Sequence, residues 1–386
     1  MIRPPATIGI LGGGQLERMS ILAGRRMGYR FHVYEPKAGC AAGMVADREI
    51  NRAYDDEKAV RAFARATEIV TLMFENIPSR TLEIIGSECP VQPASGVLHI
   101  CQNRRREKLF LRDRGFPCAA FRVVSSADDL AEAVADLAVP CVLKTAAFGY
   151  DGKGQVKITE PQADWSALWR ELDVPMAVVE EWIDFEAEYS VISARGADGE
   201  VVAFPMAENR HRNHILHTSR VPAGLPEAAQ KEARELAAGI AGALEVVGLL
   251  AVELFWTRDG RWLVNELAPR PHNSGHFTYD ACVTSQFEQH LRAVCGLPLG
   301  ATDLLRPAVM VNLLGDLWNA GEPDWSLVLR DPFARLHLYD KGAPDPGRKM
   351  GHFCVVHGSC DEAWTRAEAI DHALREAAGL PSGVSP

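Results

Sequence analysis

The chain has no excess of positive charge, no apolar run long enough to cross a bilayer and no C-x-x-C pair, and each absence closes off a class of function. Lys and Arg number 41 against 51 Asp and Glu, for a formal charge of -10. A general binder of nucleic acid or of an anionic membrane needs a clustered positive surface, so both are excluded. No stretch approaches the roughly 18 apolar residues of a membrane span. The opening M-I-R-P-P leads directly into the short run Thr7 to Leu11, without the longer apolar stretch of a signal peptide. The cysteines number nine, and several lie in apolar runs such as Val139 to Leu143. Reduced, mostly buried thiols in a cytoplasmic protein are the expectation. No repeat of fixed period and no low-complexity tract interrupts the chain.

What is present reads as a folded protein of two or three domains: 386 residues, 47% hydrophobic and 24% charged. The first ~95 residues alternate strand and helix patterns as a parallel α/β unit does. Thr7 to Leu11 reads as a strand, Gly12-Gly13-Gly14 as a tight turn and Gln15 to Met27 as a helix. Phe31 to Tyr34 and Ile69 to Phe74 are further strands, with helix Glu57 to Ala66 between them. Helix Ala127 to Leu137, strand Cys141 to Lys144, strand Val156 to Ile158, helix Trp165 to Leu172 and strand Ala177 to Trp182 follow. Glu227 to Leu244 is a long Ala-rich helix. The last ~80 residues read as a smaller β-containing module, with strands at Ala308 to Leu314, Ala334 to Tyr339 and Met350 to Val356.

The most informative feature is a hairpin carrying two glutamates. Leu249 to Trp256 and Arg261 to Leu267 read as strands joined at Asp259-Gly260, a strong two-residue turn signal. That loop sets Arg258 opposite Arg261 and, counting back along both strands, Glu253 opposite Glu266. Two carboxylates in that position repel unless a cation lies between them. Hard oxygen ligands suit Mg2+, with nucleotide phosphates and water completing the shell. Two solvated glutamates on an open face is the competing reading.

Other motifs carry less on their own. Gly12-Gly13-Gly14 between strand and helix favours a phosphate at the helix N-terminus, or is a plain turn. The dinucleotide fingerprint needs a third glycine where Glu17 stands, although Glu35 ends the second strand where a ribose-binding acid belongs. The segment Gly149-Tyr150-Asp151-Gly152-Lys153-Gly154-Gln155 joins two strands and lacks the G-K-[S/T] ending of a P-loop. It suits a cover over nucleotide phosphates, with Lys144 as a second cation, or a plain surface hairpin. Arg104 to Lys108 reads as a solvated helix face. His211, His214 and His217 match no standard zinc spacing, which leaves substrate contacts or surface histidines. Pro269 to His276 is neither helix nor central strand. Its Arg270, His272, Asn273 and Ser274 suit a small planar anion.

Taken together, I-L-G-G-G-Q-L at 10 to 16, G-Y-D-G-K-G-Q at 149 to 155, V-N-E-L-A-P-R-P-H-N-S-G-H at 264 to 276, and the late H-L-Y-D-K and R-K-M-G-H resemble the ATP-grasp ligases. Within them the likeness is to the 5-(carboxyamino)imidazole ribonucleotide synthases of purine biosynthesis, from about residue 7 to about residue 357. The resemblance implies an α/β ATP-grasp fold: a Rossmann-like domain over 1-97, an ATP-grasp domain over 98-305 with a lid at about 117-177, and a small C-terminal domain over 306-386. It implies ATP and Mg2+ as cofactors and bicarbonate and aminoimidazole ribonucleotide as substrates, joined through carboxyphosphate. A homodimer, coupled in function to a downstream mutase, is expected.

By the same resemblance Arg104, Lys108, Lys144 and residues 149 to 155 meet the phosphates of ATP, and the hinge Glu180, Glu181, Trp182 and Ile183 meets adenine. Glu188 is the ribose acid, and His211 and Asn265 are nucleotide contacts. Glu253 and Glu266 are the metal ligands. Arg270, His272, Asn273 and Ser274 hold bicarbonate. Gly14, Gln15, Tyr150 and Asp151 contact the aminoimidazole ribonucleotide, Lys341 and Arg348 hold its phosphate, and Asp151 orients its amine. Three positions depart from the family pattern: Glu17 replaces a glycine, Met73 a glutamate and Asn103 an aspartate. The nearest alternative is the formate-dependent glycinamide ribonucleotide transformylase. A nicotinamide dehydrogenase and a non-catalytic ATP-binding regulator are more distant.

Overall fold

The computed structural model describes residues 1–147, 154–162 and 164–381, which form three sheets around one cleft. The first sheet has five parallel strands in the order Arg48–Ile50, Arg30–Tyr34, Thr7–Leu11, Ile69–Leu72, Val91–Gln92. A strand covered on both faces must be apolar along its length. Ile8, Ile10 and Leu11 are accordingly fully buried, as are Val70 and Leu72. Gly12 leaves the central strand at φ +103, a backbone conformation open to glycine, and hands the chain to helix Gln15–Arg26.

A second sheet of four antiparallel strands runs in the order Phe121–Val124, Ala177–Glu181, Cys141–Thr145, Gln155–Ile158. Side chains alternate between its faces. Cys141, Leu143 and Val179 pack with Leu130, Ala133 and Val134 of helix Ala127–Leu137. Val142, Lys144 and Glu180, from intervening positions, face the cleft instead. Both covering helices are capped as their sequences suggest, by Ser126 and by Asp164 before Trp165–Leu172.

The third sheet has nine strands, and the β-containing module expected at the end of the chain joins it. Its main path is Trp262–Ala268, Gly248–Thr257, Phe185–Arg195, Ala207–Arg212, Ile215–Val221, Ala308–Leu314, Lys349–Val356, Ala334–Leu338. The late strands therefore extend the central sheet, through pairs such as Thr218↔Val311 and Arg220↔Val309. Helix Glu227–Ala243 covers one face through Ala233, Ala237 and Ile240, spaced as a helical stripe must be. Truncating Ile240 to Ala would cost about 2–5 kcal/mol. Helix Cys360–Ala377, absent from the sequence reading, covers the far end through Ala363, Ala367, Ile370 and Leu374.

Among the described residues no helix is long and apolar enough to cross a membrane. All nine cysteines are unpaired, five of them buried.

Candidate active site

The three sheets enclose a cleft of about 1310 Å3. The second sheet supplies one wall and the third the opposite wall. Turns at the C-terminal ends of the parallel strands and the segment around Lys341 and Arg348 close the end.

Glu253 and Glu266 are direct partners across the hairpin, and both line the cleft. The route to that register differs from the expected one. The Thr257 N–H donates to the Arg261 carbonyl at 3.0 Å and Trp256 pairs with Trp262, so the loop holds three residues, with Gly260 at φ +77. By itself that loop would set Asn265 opposite Glu253. A β-bulge between the pairs Leu254↔Val264 and Glu253↔Glu266 takes up Asn265 as an extra residue and restores the glutamate pair. Helix Arg104–Asp113 holds the bulge: Lys108 Nζ donates to the carbonyls of Asn265 at 3.1 Å and Val264 at 3.4 Å, and the Leu267 N–H donates to Glu107 Oε2 at 2.9 Å.

This corrects the reading of Arg104 to Lys108 as a solvated face, since Lys108 is 0% exposed and Glu107 2%. The helix is capped by Asn103, whose side chain accepts from the Arg106 N–H at 3.3 Å, so asparagine serves here as aspartate would. Lys108 is not among the residues lining the cleft, whereas Lys144, which shares Glu180 with it, is. The Lys108 ammonium lies 3.2 Å from Glu180 Oε2, and Lys144 donates to the same oxygen at 3.1 Å. Arg104 Nη1 lies 3.7 Å from Glu180 Oε1, and Arg104 Nη2 is 3.4 Å from Glu266 Oε2. Burial alone would push the Glu180 carboxyl up, but Lys108, Lys144 and Arg104 outweigh it and hold the group down at about 2. Burial, with Arg104 and Lys108 close by, pushes Lys144 below the usual lysine range against the pull of Glu180.

Beyond Glu180 the hinge passes Glu181, Trp182 and Ile183 along the cleft. The Glu181 N–H is already donated to the Ala120 carbonyl at 2.9 Å, and Lys157 Nζ sits 3.5 Å above the Trp182 ring. Phe255, stacked on Phe185 at 4.6 Å, lies with Leu216 on the other wall, so a flat apolar ring has surfaces on two sides. Glu188 and His211 meet there, His211 Nδ1 lying 2.5 Å from Glu188 Oε2. Of the other two histidines of that run, His214 also borders the cleft and His217 does not. Asn213 and His214, at φ +51 and +64, form the two-residue turn of the hairpin, and His217 contacts Asp371 at 2.9 Å.

The loop after Glu266 divides its four polar residues between contact and support. Arg270, His272 and Asn273 line the cleft. Arg270 is ion-paired to Glu75, and His272 Nε2 lies 3.1 Å from Glu253 Oε1. Burial would raise the Glu253 carboxyl, yet His272, His211 and Lys349 lower it to about 2. Ser274 is buried behind His272 and does not line the cleft. A chain of donors runs from Ser219 through Asn209 and Ser190 to Ser274 Oγ, which lies 2.9 Å from His272 Nδ1. Ser274 has its own proton left for Nδ1, so the His272 proton faces Glu253. The Asn273 amide is matched by reciprocal bonds with Asn312, at 3.0 and 2.6 Å. Gln286 braces the loop through the N–H and carbonyl of His272, at 2.9 and 2.8 Å.

At the closed end, Gly14, Gln15, Lys341 and Arg348 line the cleft, and Lys341 Nζ donates to Gln15 Oε1 at 3.1 Å. Acidic side chains lie on both sides of the Gly12 to Gly14 turn, which itself lines the cleft. A Cβ on Gly12 would lie 2.5 Å from Glu17 Oε1, and one on Gly13 2.7 Å from Glu35 Cγ. Gly154, Gln155 and Asn265 also line the cleft. Gly149, Tyr150, Asp151, Gly152 and Lys153 lie outside the described residues.

Sequence reasoning missed Glu75, Lys349, Asn312, Ser190 and Asn209. Lys349 was legible beside Arg348. The others signal their roles only through contacts made across long stretches of chain.

Comparison with known proteins agrees with this layout. A family model for the ribonucleotide synthetase preATP-grasp domain matches residues 5–102, one for the ATP-grasp domain 109–287, and one for the phosphoribosylaminoimidazole carboxylase C-terminal domain 308–366. The chain is 46% identical over 362 residues to the N5-carboxyaminoimidazole ribonucleotide synthase of Bacillus subtilis (strain 168), covering 94% of each. It superposes with TM-score 0.91 and 43% identity on a crystal structure of an N5-carboxyaminoimidazole ribonucleotide synthetase in complex with ADP, covering 98% of this chain and 99% of that one. The Aspergillus clavatus synthase in complex with ADP and 5-aminoimidazole ribonucleotide is similar at 30% identity and TM-score 0.86, over 97% of this chain and 98% of that one.

Proposed function

The chain belongs to the N5-carboxyaminoimidazole ribonucleotide synthase family of ATP-grasp ligases, and from that premise we infer that its cleft carries out the ATP-dependent carboxylation of 5-aminoimidazole ribonucleotide in purine biosynthesis. Bicarbonate is the one-carbon source in this reading. It is a poor electrophile, so a bicarbonate oxygen first takes the γ-phosphoryl group of ATP, giving carboxyphosphate and ADP. Carboxyphosphate breaks down to CO2 and phosphate, and the exocyclic amine captures CO2 as a carbamate, losing a proton.

The chain's own groups divide this work by position. Lys144 and Arg104 meet the nucleotide phosphates, and the slot beside Phe255 takes the base. Arg270, His272 and Asn273 hold the planar anion, with Ser274 fixing that loop from behind. Lys341 and Arg348 hold the substrate phosphate. Carboxyphosphate hydrolyses readily, so the closed cleft must keep water away from it. Two carboxylates opposite each other in the same cleft, with phosphate-binding cations nearby, fit Mg2+ held by Glu253 and Glu266. When bound, that ion offsets charge developing on the transferred phosphoryl group. A homodimer, and rapid passage of the labile carbamate to a mutase, complete the proposal.

The observation that carries the reading is that the paired glutamates, Arg270 with His272, and Lys341 with Arg348 all line one cavity. The test is ADP release from ATP and Mg2+, with bicarbonate and aminoimidazole ribonucleotide added separately and together. Turnover is expected to be highest with both. A rate indifferent to the ribonucleotide, or supported by formate and glycinamide ribonucleotide, overturns it.

A further inference from the structure

Glu17 is a carboxylate that the mechanism above leaves without a task. It is 3% exposed, yet it lines the cleft. As the third residue of helix Gln15–Arg26 it turns back over the strand-to-helix turn, so that a Cβ on Gly14 would lie 3.1 Å from its Oε2. An acid there satisfies the first turn of a helix, and a structural cap is the plain alternative to function. A cap alone does not call for burial. Exposed carboxylates cap equally well, whereas desolvation here pushes Glu17 up to about 7 against the pull of its own and the Gly14 N–H groups and of Arg270.

The surroundings explain the burial. Met73 follows strand Ile69–Leu72, next to the central strand, is 2% exposed and also lines the cleft. Its Sδ accepts from Ser20 Oγ at 3.0 Å. Residues 17 and 20 are one turn apart on one helix face, so the thioether and the carboxylate occupy neighbouring ground. One acid is tolerable at this place, and a second at position 73 would face a like charge in a dry setting. The other charged groups acting on Glu17 are Arg270, itself paired with Glu75, and Glu35 beyond the turn, where the neutral phenol of Tyr54 also lies.

Lys341 Nζ donates to Gln15 Oε1, two residues before Glu17, so a substrate phosphate held by Lys341 and Arg348 lies at the same end of the cleft as this helix turn. A ribonucleotide held there and reacting at Arg270 and His272 presents its hydroxyl and amine donors to the stretch between. We propose that Glu17 is a specificity-determining residue that accepts hydrogen bonds from those donors, and that an apolar residue at position 73 is the condition that lets a single carboxylate act from the helix. The inference rests on the cleft taking the ribonucleotide.

Steady-state kinetics of the full chain test it, with ATP and ribonucleotide varied in turn. Glu17→Gln keeps the shape and capping capacity of the side chain. Losing a charged hydrogen-bond acceptor is expected to raise the ribonucleotide KM about tenfold or more, with the ATP KM within about twofold. Met73→Glu alone is expected to weaken ribonucleotide binding by crowding two acids. Glu17→Gly with Met73→Glu, which moves the acid across the gap, is expected to recover most of what Glu17→Gly alone loses. A Glu17→Gln protein with an unchanged ribonucleotide KM, or with both KM values raised equally, overturns the proposal and leaves Glu17 a cap. A folded exchange variant no better than Glu17→Gly does the same. If the unaltered protein shows no response to the ribonucleotide, the reading of the cleft fails, and this inference with it.

Discussion

At the end of the cleft proposed for the nucleotide, Glu180 lies among Arg104, Lys108 and Lys144, whereas at the end proposed for the ribonucleotide Glu17 is buried against backbone N–H groups and a thioether. Burial acts on both carboxyls in the same direction. Three cations reverse it for Glu180, which sits at about 2, and nothing comparable does so for Glu17, which sits at about 7. The first arrangement uses charge to hold a wall: one buried acid ties Lys144 on the cleft surface to Lys108 beneath the glutamate hairpin. The second leaves an acceptor whose best partner is still to arrive. A site for a polyphosphate needs its cations fixed in advance, while a site that selects one small ribonucleotide needs an acceptor whose satisfaction depends on the right ligand.

The comparison breaks most severely at the nucleotide end. Glu266→Ala is expected to reduce ATP turnover by about a thousandfold or more, in keeping with the loss of several kcal/mol of charge stabilisation, while circular dichroism shows an intact fold. A variant that keeps most of its ADP release removes Glu266 from the metal site and makes the cations around Glu180 purely structural. At the other end, Lys341→Ala is expected to raise the ribonucleotide KM roughly 10- to 100-fold and to leave that of ATP nearly unchanged. Equal rises in both would place Lys341 at a point shared by the two substrates.

The smallest effect sharpens the contrast through pH. A carboxyl raised to about 7 in the fold binds more protons than the unfolded chain from about pH 4.5 to 7. Its contribution to stability is therefore greatest at acid pH and declines as pH rises through that window. Glu180 has the opposite sign, since its contribution is present above about pH 4.5 and is lost as pH falls toward 2. Denaturant midpoints for Glu17→Gln between pH 4.5 and 7 should fall less steeply than those of the unaltered protein. Parallel curves would mean that Glu17 is solvated, and the two ends would no longer differ in kind.

Much of the fold was legible along the chain. Strand Thr7–Leu11, helices Ala127–Leu137 and Trp165–Leu172 and strand Ala308–Leu314 fall where periodicity and caps put them. Helix Cys360–Ala377 was legible and missed: Ser359 caps it and Glu362 follows three residues later, a capping-box spacing before an Ala-rich run. Strand Phe185–Arg195 was missed for a different reason. It lies inside the sheet, where neighbours on both sides decide its pairing. The basic run at Arg104 to Lys108 misled because a charge run is usually solvated, and its burial depends on Glu180, 72 or more residues away.

The glutamate pair shows where the boundary lies. The sequence by itself determined that two acids sit on adjoining strands of one hairpin, because alternating apolar residues and a turn signal are local properties. Their register was a tertiary decision. The loop is one residue longer than the dipeptide suggests, and a bulge at Asn265 cancels the slip because Lys108 and Glu107 bind the carbonyls and N–H it frees. Backbone groups released by a bulge must find partners, and here those partners lie more than 150 residues earlier in the chain. Local chemistry can name the groups that meet a ligand, but only packing between distant segments decides which of them, like Lys144, reach the cleft and which, like Lys108, stand behind it.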